Sequence, residues 1–306
     1  MFFYDILCLL GDQMVKKIYT KTIFSKIKNP SMWFGIDYNT NFYRGCSHKC
    51  IYCDSRSGCY KIDDFNDIEV KINAPLLLER ELMKRKTKKI IGTGAMCDPY
   101  MHAEKKYEIT KKCLEIINKY HFPITITTKS DLILRDLELL KEINKKAKVM
   151  IMITITTSDD ELSKVIEPYA AISSKRFEII RKLTDVGIET GILLMPVLPN
   201  ITDTKDNIKE IILKASKVNT SFIIPFFGVT LRDRQRAYYY KQLDKHFPAL
   251  KEVYKKEFGN NYSCTTKRYY ELNNIFKRMC KENNIVFKME NINYYKQTKE
   301  EQLSLF

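Results

Sequence analysis

Between residues 89 and 227, short β-branched runs alternate with longer amphipathic stretches, and this alternation restricts the fold more than any other feature. Residues 89–94, 123–128, 148–156, 188–195 and 221–227 read as strands, being short and rich in Ile, Val and Thr. Residues 74–86, 103–120, 131–146, 173–186 and 202–217 read as helices. Pro75 stands at a first-turn position, and Gly187 stands where a left-handed C-cap belongs. With an extended piece at residues 41–45 as the first strand, the chain holds six β units. A helix follows each of the first five, and a sixth is expected after residue 231. Strands and helices in this order form parallel βαβ units, as an open sheet or a barrel.

Composition fits such a domain: 306 residues, 44% hydrophobic and 29% charged, which excludes wholesale disorder and collagen-like or mucin-like character. No apolar run approaches the roughly 20 residues of a membrane span. Asp5 interrupts the greasy first ten residues, and neither a basic n-region nor a small-residue cleavage site accompanies them. A cytoplasmic protein without membrane contact is expected, and Met14 reads as an alternative start to Met1. The net charge of +15 favours an anionic partner, although a Lys-, Ile-, Asn- and Tyr-rich composition raises charge without any function. Residues 1–40 lack clear periodicity and read as an N-terminal extension, before a barrel or sheet at 41–230. Residues 231–306 carry 16 Lys/Arg against 9 Asp/Glu and nine of the 19 tyrosines. They read as a mostly helical, basic, aromatic appendix (231–301) ending in a short tail.

Nine cysteines without a secretory signal point to metal or redox chemistry rather than disulfides. Cys46, Cys50 and Cys53 form C-x3-C-x2-C in a loop after the first strand. Three thiolates on one short loop can bind three irons of a 4Fe–4S cube, leaving the fourth iron open for an exogenous ligand. An open metal position suits catalysis, whereas a closed one is usually structural. A zinc site completed by Cys59 or His48 is the rival, and would make a metal-stabilised nucleic-acid-binding module without turnover. Cys59 could also close an electron-transfer cluster.

The motif resembles that of the radical SAM superfamily, in which the free iron chelates S-adenosylmethionine (SAM) and the reduced cluster releases a 5′-deoxyadenosyl radical. Tyr52, just before the third cysteine, matches a family habit, which would lay its backbone against the adenine. The run from Asn41 to Arg56 is similar to the branch related to spore photoproduct lyase. So are Asp98-Pro99-Tyr100 with Glu104, Thr128-Lys129-Ser130 with Arg135-Asp136, Thr157 through Asp160, Glu167-Pro168 with Arg176, and Pro196-Val197-Leu198-Pro199. The resemblance implies an α/β partial (βα)6 TIM-type barrel with cluster and SAM at the carboxyl ends of its strands. Gly92, Thr93 and Gly94 would approach the methionyl amino group, or merely form a tight turn. Lys129 suits the SAM carboxylate, and Thr154 or Thr156 the ribose. Arg176 would make a bidentate carboxylate contact or pair with Glu167. The lyase has a hydrogen-atom-donating cysteine three residues before an aspartate. Here Ala95 stands there and Cys97 directly precedes Asp98, which makes Cys97 the candidate radical-quenching thiol. Asp54 replaces a relay tyrosine, so the chain reads as a relative of the lyase.

The tail Gln302-Leu303-Ser304-Leu305-Phe306 resembles the bacterial sliding-clamp-binding peptide, with three apolar anchors and one amide. The resulting expectation is a cluster- and SAM-dependent enzyme that repairs or modifies DNA at the clamp, supplied with electrons by a flavodoxin or ferredoxin. RNA or a protein stands as the alternative substrate.

Overall fold

The computed structural model describes residues 15–292 apart from 63 and 66; the tail at 302–306 lies outside the described residues. In chain order the strands are β1 (Val15–Ile18), β2 (Ser25–Lys26), β3 (Tyr38–Thr40), β4 (Tyr43–Arg44), β5 (Ile68–Lys71), β6 (Ile91–Thr93), β7 (Ile124–Thr128), β8 (Val149–Thr154), β9 (Glu189–Leu194), β10 (Phe222–Pro225), β11 (Gly228–Thr230) and β12 (Ser263–Thr265). The helices are α1 (Ala74–Met83), α2 (Glu104–Tyr107), α3 (Ile109–Tyr120), α4 (Leu137–Lys146), α5 (Asp160–Ile166), α6 (Ser173–Thr184), α7 (Lys205–Lys217), α8 (Asp233–His246), α9 (Leu250–Phe258) and α10 (Tyr269–Glu282).

The main sheet runs β10-β9-β8-β7-β6-β3-β2, parallel from β3 through β10 with β2 antiparallel at its edge. These six parallel strands with helices outside them are the partial (βα)6 barrel. Alternation in the strands divides the two faces. Ile91, Ile124, Ile126, Ile151, Ile153 and Ile192 pack with the apolar stripes of the helices, such as Leu114, Leu140, Ile180 and Ile211. The other face holds Met150, Met152, Leu193 and Phe222 inside the barrel.

Three boundaries differ from the sequence reading. The first barrel strand is β3, not residues 41–45: Tyr43 and Arg44 pair antiparallel with β5 in a separate three-stranded sheet, β1-β5-β4. Residues 15–40 belong to the fold rather than extending from it. Phe34 and Ile36, 0% and 3% exposed, fill the barrel interior against Met150, Met152 and Phe222. The segment after residue 230 also divides. The pair α8–α9 packs over the cysteine loop, burying Tyr239, Leu243, Tyr254 and Phe258 with Cys50, Ile51 and Tyr52.

By contrast, α10 is the sixth barrel helix. Leu272, Phe276 and Cys280 join the main core, and α10 packs on α7. The chain then returns to the sheet, where Val286 exchanges backbone bonds with Ser221 (3.1 Å) and Ile223 (2.8 Å) beside β10. No described helix is long and apolar enough to cross a membrane.

Phe276 is 1% exposed, with its ring 5.9 Å from that of Phe227 and 6.1 Å from that of Phe287. Phe276→Ala is therefore expected to cost about 3–5 kcal/mol of whole-domain stability in denaturant unfolding followed by circular dichroism. An unmoved main transition would mean that α10 is an independent appendix.

Candidate active site

Cys46, Cys50 and Cys53 line one cleft at the carboxyl ends of the strands, together with His48, Ser55, Gly94, Ala95, Met96, Cys97, Asp98, Thr127, Thr128 and Lys129. The loop that carries them has little regular structure, so its shape depends on contacts from outside. Ile51 N–H donates to Ile166 O at the end of α5 (2.9 Å), and Tyr169 N–H donates to His48 O (3.3 Å). His48 lies between two acceptors, with Nδ1 2.9 Å from Tyr169 O and Nε2 3.0 Å from Asp98.

Asp98 is buried, and burial alone would raise its pKa. His48 and the donors around the carboxylate reverse that, and bring it down to about 2. It accepts from Tyr100 N–H (2.9 Å), Thr128 Oγ1 (2.7 Å) and Lys129 N–H (2.7 Å), which ties the cysteine loop to the ends of β6 and β7. A second buried knot stands behind it. Fully buried Glu104 pairs with Arg135 (2.7 Å) and accepts from Tyr43 Oη and from Thr110 N–H (2.9 Å), and Arg135 also holds Asp136 (2.8 Å). The sequence blocks around Asp98, Glu104, Thr128 and Arg135 are thus one scaffold, a role that spacing alone did not reveal.

The third restraint comes from α8. Gln235, 0% exposed, donates from Nε2 to Tyr52 O (2.9 Å) and to Thr230 O (2.5 Å), while its Oε1 accepts from Arg232 N–H (2.9 Å). Tyr52 Oη donates to Glu167, which pairs with Arg176 at 2.6 Å. Arg176 is 0% exposed and also donates to Ala171 O (2.6 Å) and Thr154 O (2.9 Å). Of its two expected roles, the structure shows the pairing with Glu167.

Of the remaining expected residues, Gly94 lines the cleft at φ +98°, where a Cβ would meet Thr127 O at 2.0 Å. Gly92 lies deeper, and a Cβ there would meet Ile36 at 2.7 Å, so packing demands that glycine. Thr93 shares the face of Ile91 and Ile126, which is covered by helices. The Lys129 ammonium lies 5.9 Å from the Tyr52 ring centroid. Burial disfavours its charge, but Cys50 and Glu167 hold its pKa above the ordinary value. Thr154 faces inward in register with Leu193, and Thr156 Oγ1 is buried without a hydrogen-bond partner.

The donor set suits a cube with one open corner. Burial pushes the Cys46 thiol well above its usual pKa and Cys50 up to about 12, so bound metal must supply the driving force for thiolate formation. Among the described residues no three His, Cys, Asp or Glu side chains gather around one metal ion. A cube does not ask them to, since each thiolate takes a different iron. Both proposed fourth ligands are engaged elsewhere: His48 by Asp98 and Tyr169, and exposed Cys59 by Arg232, whose NH1 is 3.1 Å from its Sγ. The Lys129 side chain, in the cleft with the thiols, supplies a positive charge for an anionic group of the ligand.

Gln235→Leu keeps the volume but removes both bonds from the amide nitrogen. The variant is expected to lose iron to a chelator several-fold faster than the native chain after anaerobic reconstitution, followed by cluster absorbance. Equal loss rates would show that α8 does not hold the loop.

Residues 40–212 match the model of the radical SAM superfamily. An uncharacterized protein of Methanocaldococcus jannaschii is 30% identical over 228 residues, covering 74% of this chain and 82% of its own. One from Mycobacterium tuberculosis is 26% identical over 248 residues, covering 78% and 72%. Among solved structures, spore photoproduct lyase complexed with dinucleoside spore photoproduct has a TM-score of 0.65 at 15% identity, covering 88% of this chain and 79% of that one. At such identity the likeness is one of fold. The family's cofactors are a 4Fe–4S cluster and SAM, and the donor set above fits them. A family model spanning more than half the chain, on a barrel with these three thiols in a cleft beside its strand ends, makes the chain a member of the radical SAM superfamily and an enzyme.

Proposed function

We propose that the enzyme repairs or modifies DNA, with Cys46, Cys50 and Cys53 holding the cluster and Lys129, Gly94, Tyr52, Thr154 and Thr156 nearest the SAM. Bound there, the reduced cluster and SAM supply a 5′-deoxyadenosyl radical. The chain's own contribution is to hold the three thiols, leave one iron accessible and shield the cleft. The observation that carries the reading is the presence of Cys97 in the same cleft as the three ligand cysteines.

Cys97 is buried and donates its Sγ–H to Tyr43 O at 3.1 Å. Burial pushes its pKa up to about 12, so at neutral pH it keeps the hydrogen that a radical quench needs. The substrate radical takes the hydrogen atom from sulfur, forming a C–H bond and leaving a thiyl radical. The cysteine need not stand at the lyase's position for this, because Cys97 lines the same cleft. Support for DNA comes from the net charge of +15 and from the dinucleoside spore photoproduct bound by the lyase of similar fold. The same reading includes a cytoplasmic location, a flavodoxin or ferredoxin as electron source, and recruitment to a sliding clamp through residues 302–306.

The test is anaerobic turnover of reconstituted protein with SAM and dithionite, with and without ultraviolet-irradiated DNA. Irradiated DNA is expected to raise 5′-deoxyadenosine formation and to be altered itself. Cys97→Ala is expected to retain SAM cleavage but to give different products from the unquenched substrate radical, read by mass spectrometry. No response to irradiated or intact DNA would move the substrate to RNA or protein. An unchanged product distribution in Cys97→Ala would remove the quenching role.

A further inference from the structure

Tyr169 is 52% exposed, yet its backbone is held at both polar atoms. Its N–H donates to His48 O (3.3 Å), and its carbonyl lies 2.9 Å from His48 Nδ1. Pro168 precedes it, restricting the chain. Ala170 N–H donates to Glu167 O (3.1 Å) and Ala171 N–H to Lys129 O (3.1 Å). The exposed ring is thus carried on backbone tied to the cysteine loop. A ring carried on ordered backbone can take a flat partner at low entropic cost.

A cation stands beside it. Lys49, between two cluster cysteines, occupies the left-handed region at φ +51°, and its ammonium lies 5.2 Å from the Tyr169 ring centroid. The Arg56 guanidinium, by contrast, is buried, 3.6 Å from the centroid of half-buried Tyr238 and 4.6 Å from that of Phe65, so it braces these rings and leaves Lys49 as the cation beside the platform. An open aromatic face with a cation beside it is a surface on which an unpaired base can stack while a phosphate pairs with the Lys. A duplex hides base faces, so a ring presented this way suits a single-stranded or extruded nucleotide.

We infer that Tyr169 is the stacking platform for an unpaired base of the nucleic acid acted on in the cleft, and that Lys49 holds an adjacent phosphate. This rests on the DNA reading above. Fluorescence anisotropy with reconstituted protein under anaerobic conditions tests it. The probes are a short labelled single-stranded DNA, the same strand with abasic sites, and its duplex.

Tyr169→Ala is expected to weaken single-strand binding about tenfold, with Tyr169→Phe close to native. The loss should shrink on the abasic strand, and the native protein should prefer the single strand to the duplex. Lys49→Ala is expected to make the log–log salt dependence shallower by about 0.7. Iron content serves as the control that the loop is intact, since the backbone bonds of Tyr169 survive the substitution. Native binding that Tyr169→Ala leaves unchanged, or an equal loss on the abasic strand, overturns the platform while leaving DNA as the substrate. No saturable DNA binding by the native protein overturns both.

Discussion

The Asp98–His48 pair is the interaction on which the site depends. Three cysteines in eight residues cannot present thiols in a fixed pattern unless something outside the loop sets the backbone between them. Asp98 does this from the end of β6, by holding His48 at 3.0 Å and the Lys129 amide at 2.7 Å. His48 passes the restraint to Tyr169, while Ile51 is fixed to Ile166 and Tyr52 to Gln235. The loop is therefore tied to β6 and β7, to the segment around α5, and to α8. A charged group as deeply buried as Asp98 is tolerable because every contact it makes stabilises the ionised form.

This arrangement gives the segment after the barrel a different meaning from the one its charge suggests. Its polarity and tyrosines read as a nucleic-acid appendix, but α8–α9 lays an apolar face over Cys50, Ile51 and Tyr52, and α10 completes the barrel. The basic and aromatic residues around the cysteine loop come from other parts of the chain as well, with half-buried Lys49 and buried Arg56 in the cysteine region and exposed Tyr169 after α5. What surrounds the thiols is thus a composite rim, assembled by the fold rather than carried by one segment.

The parallel strands were legible because each is a short, nearly continuous apolar or β-branched run buried on both faces. Residues 124–128, 149–154 and 189–194 fall inside the expected limits. The first strand escaped because Tyr38-Asn39-Thr40 has no apolar run and is recognisable only by its pairing with β6. The three cysteines stood out by spacing, Lys129 and Gly94 as residues ending expected strands, and Cys97 through the likeness to the lyase; the structure brings all six to one cleft. Gln235 was not: it sits in Asp233-Arg234-Gln235-Arg236, which reads as a solvated helix face, and only the tertiary fold buries it. Gly92 and Arg176 carried the right residue types for ligand contact, yet packing against Ile36 and pairing with Glu167 account for them.

The account stands on a cube held by three thiols with its fourth iron open to SAM. The most direct test is electron paramagnetic resonance of the anaerobically reconstituted, dithionite-reduced protein before and after SAM is added. The account predicts a reduced 4Fe–4S signal that changes shape with SAM and disappears when Cys46, Cys50 and Cys53 are replaced by alanine. A protein that takes up zinc in place of iron, or a cluster signal indifferent to SAM, would contradict it.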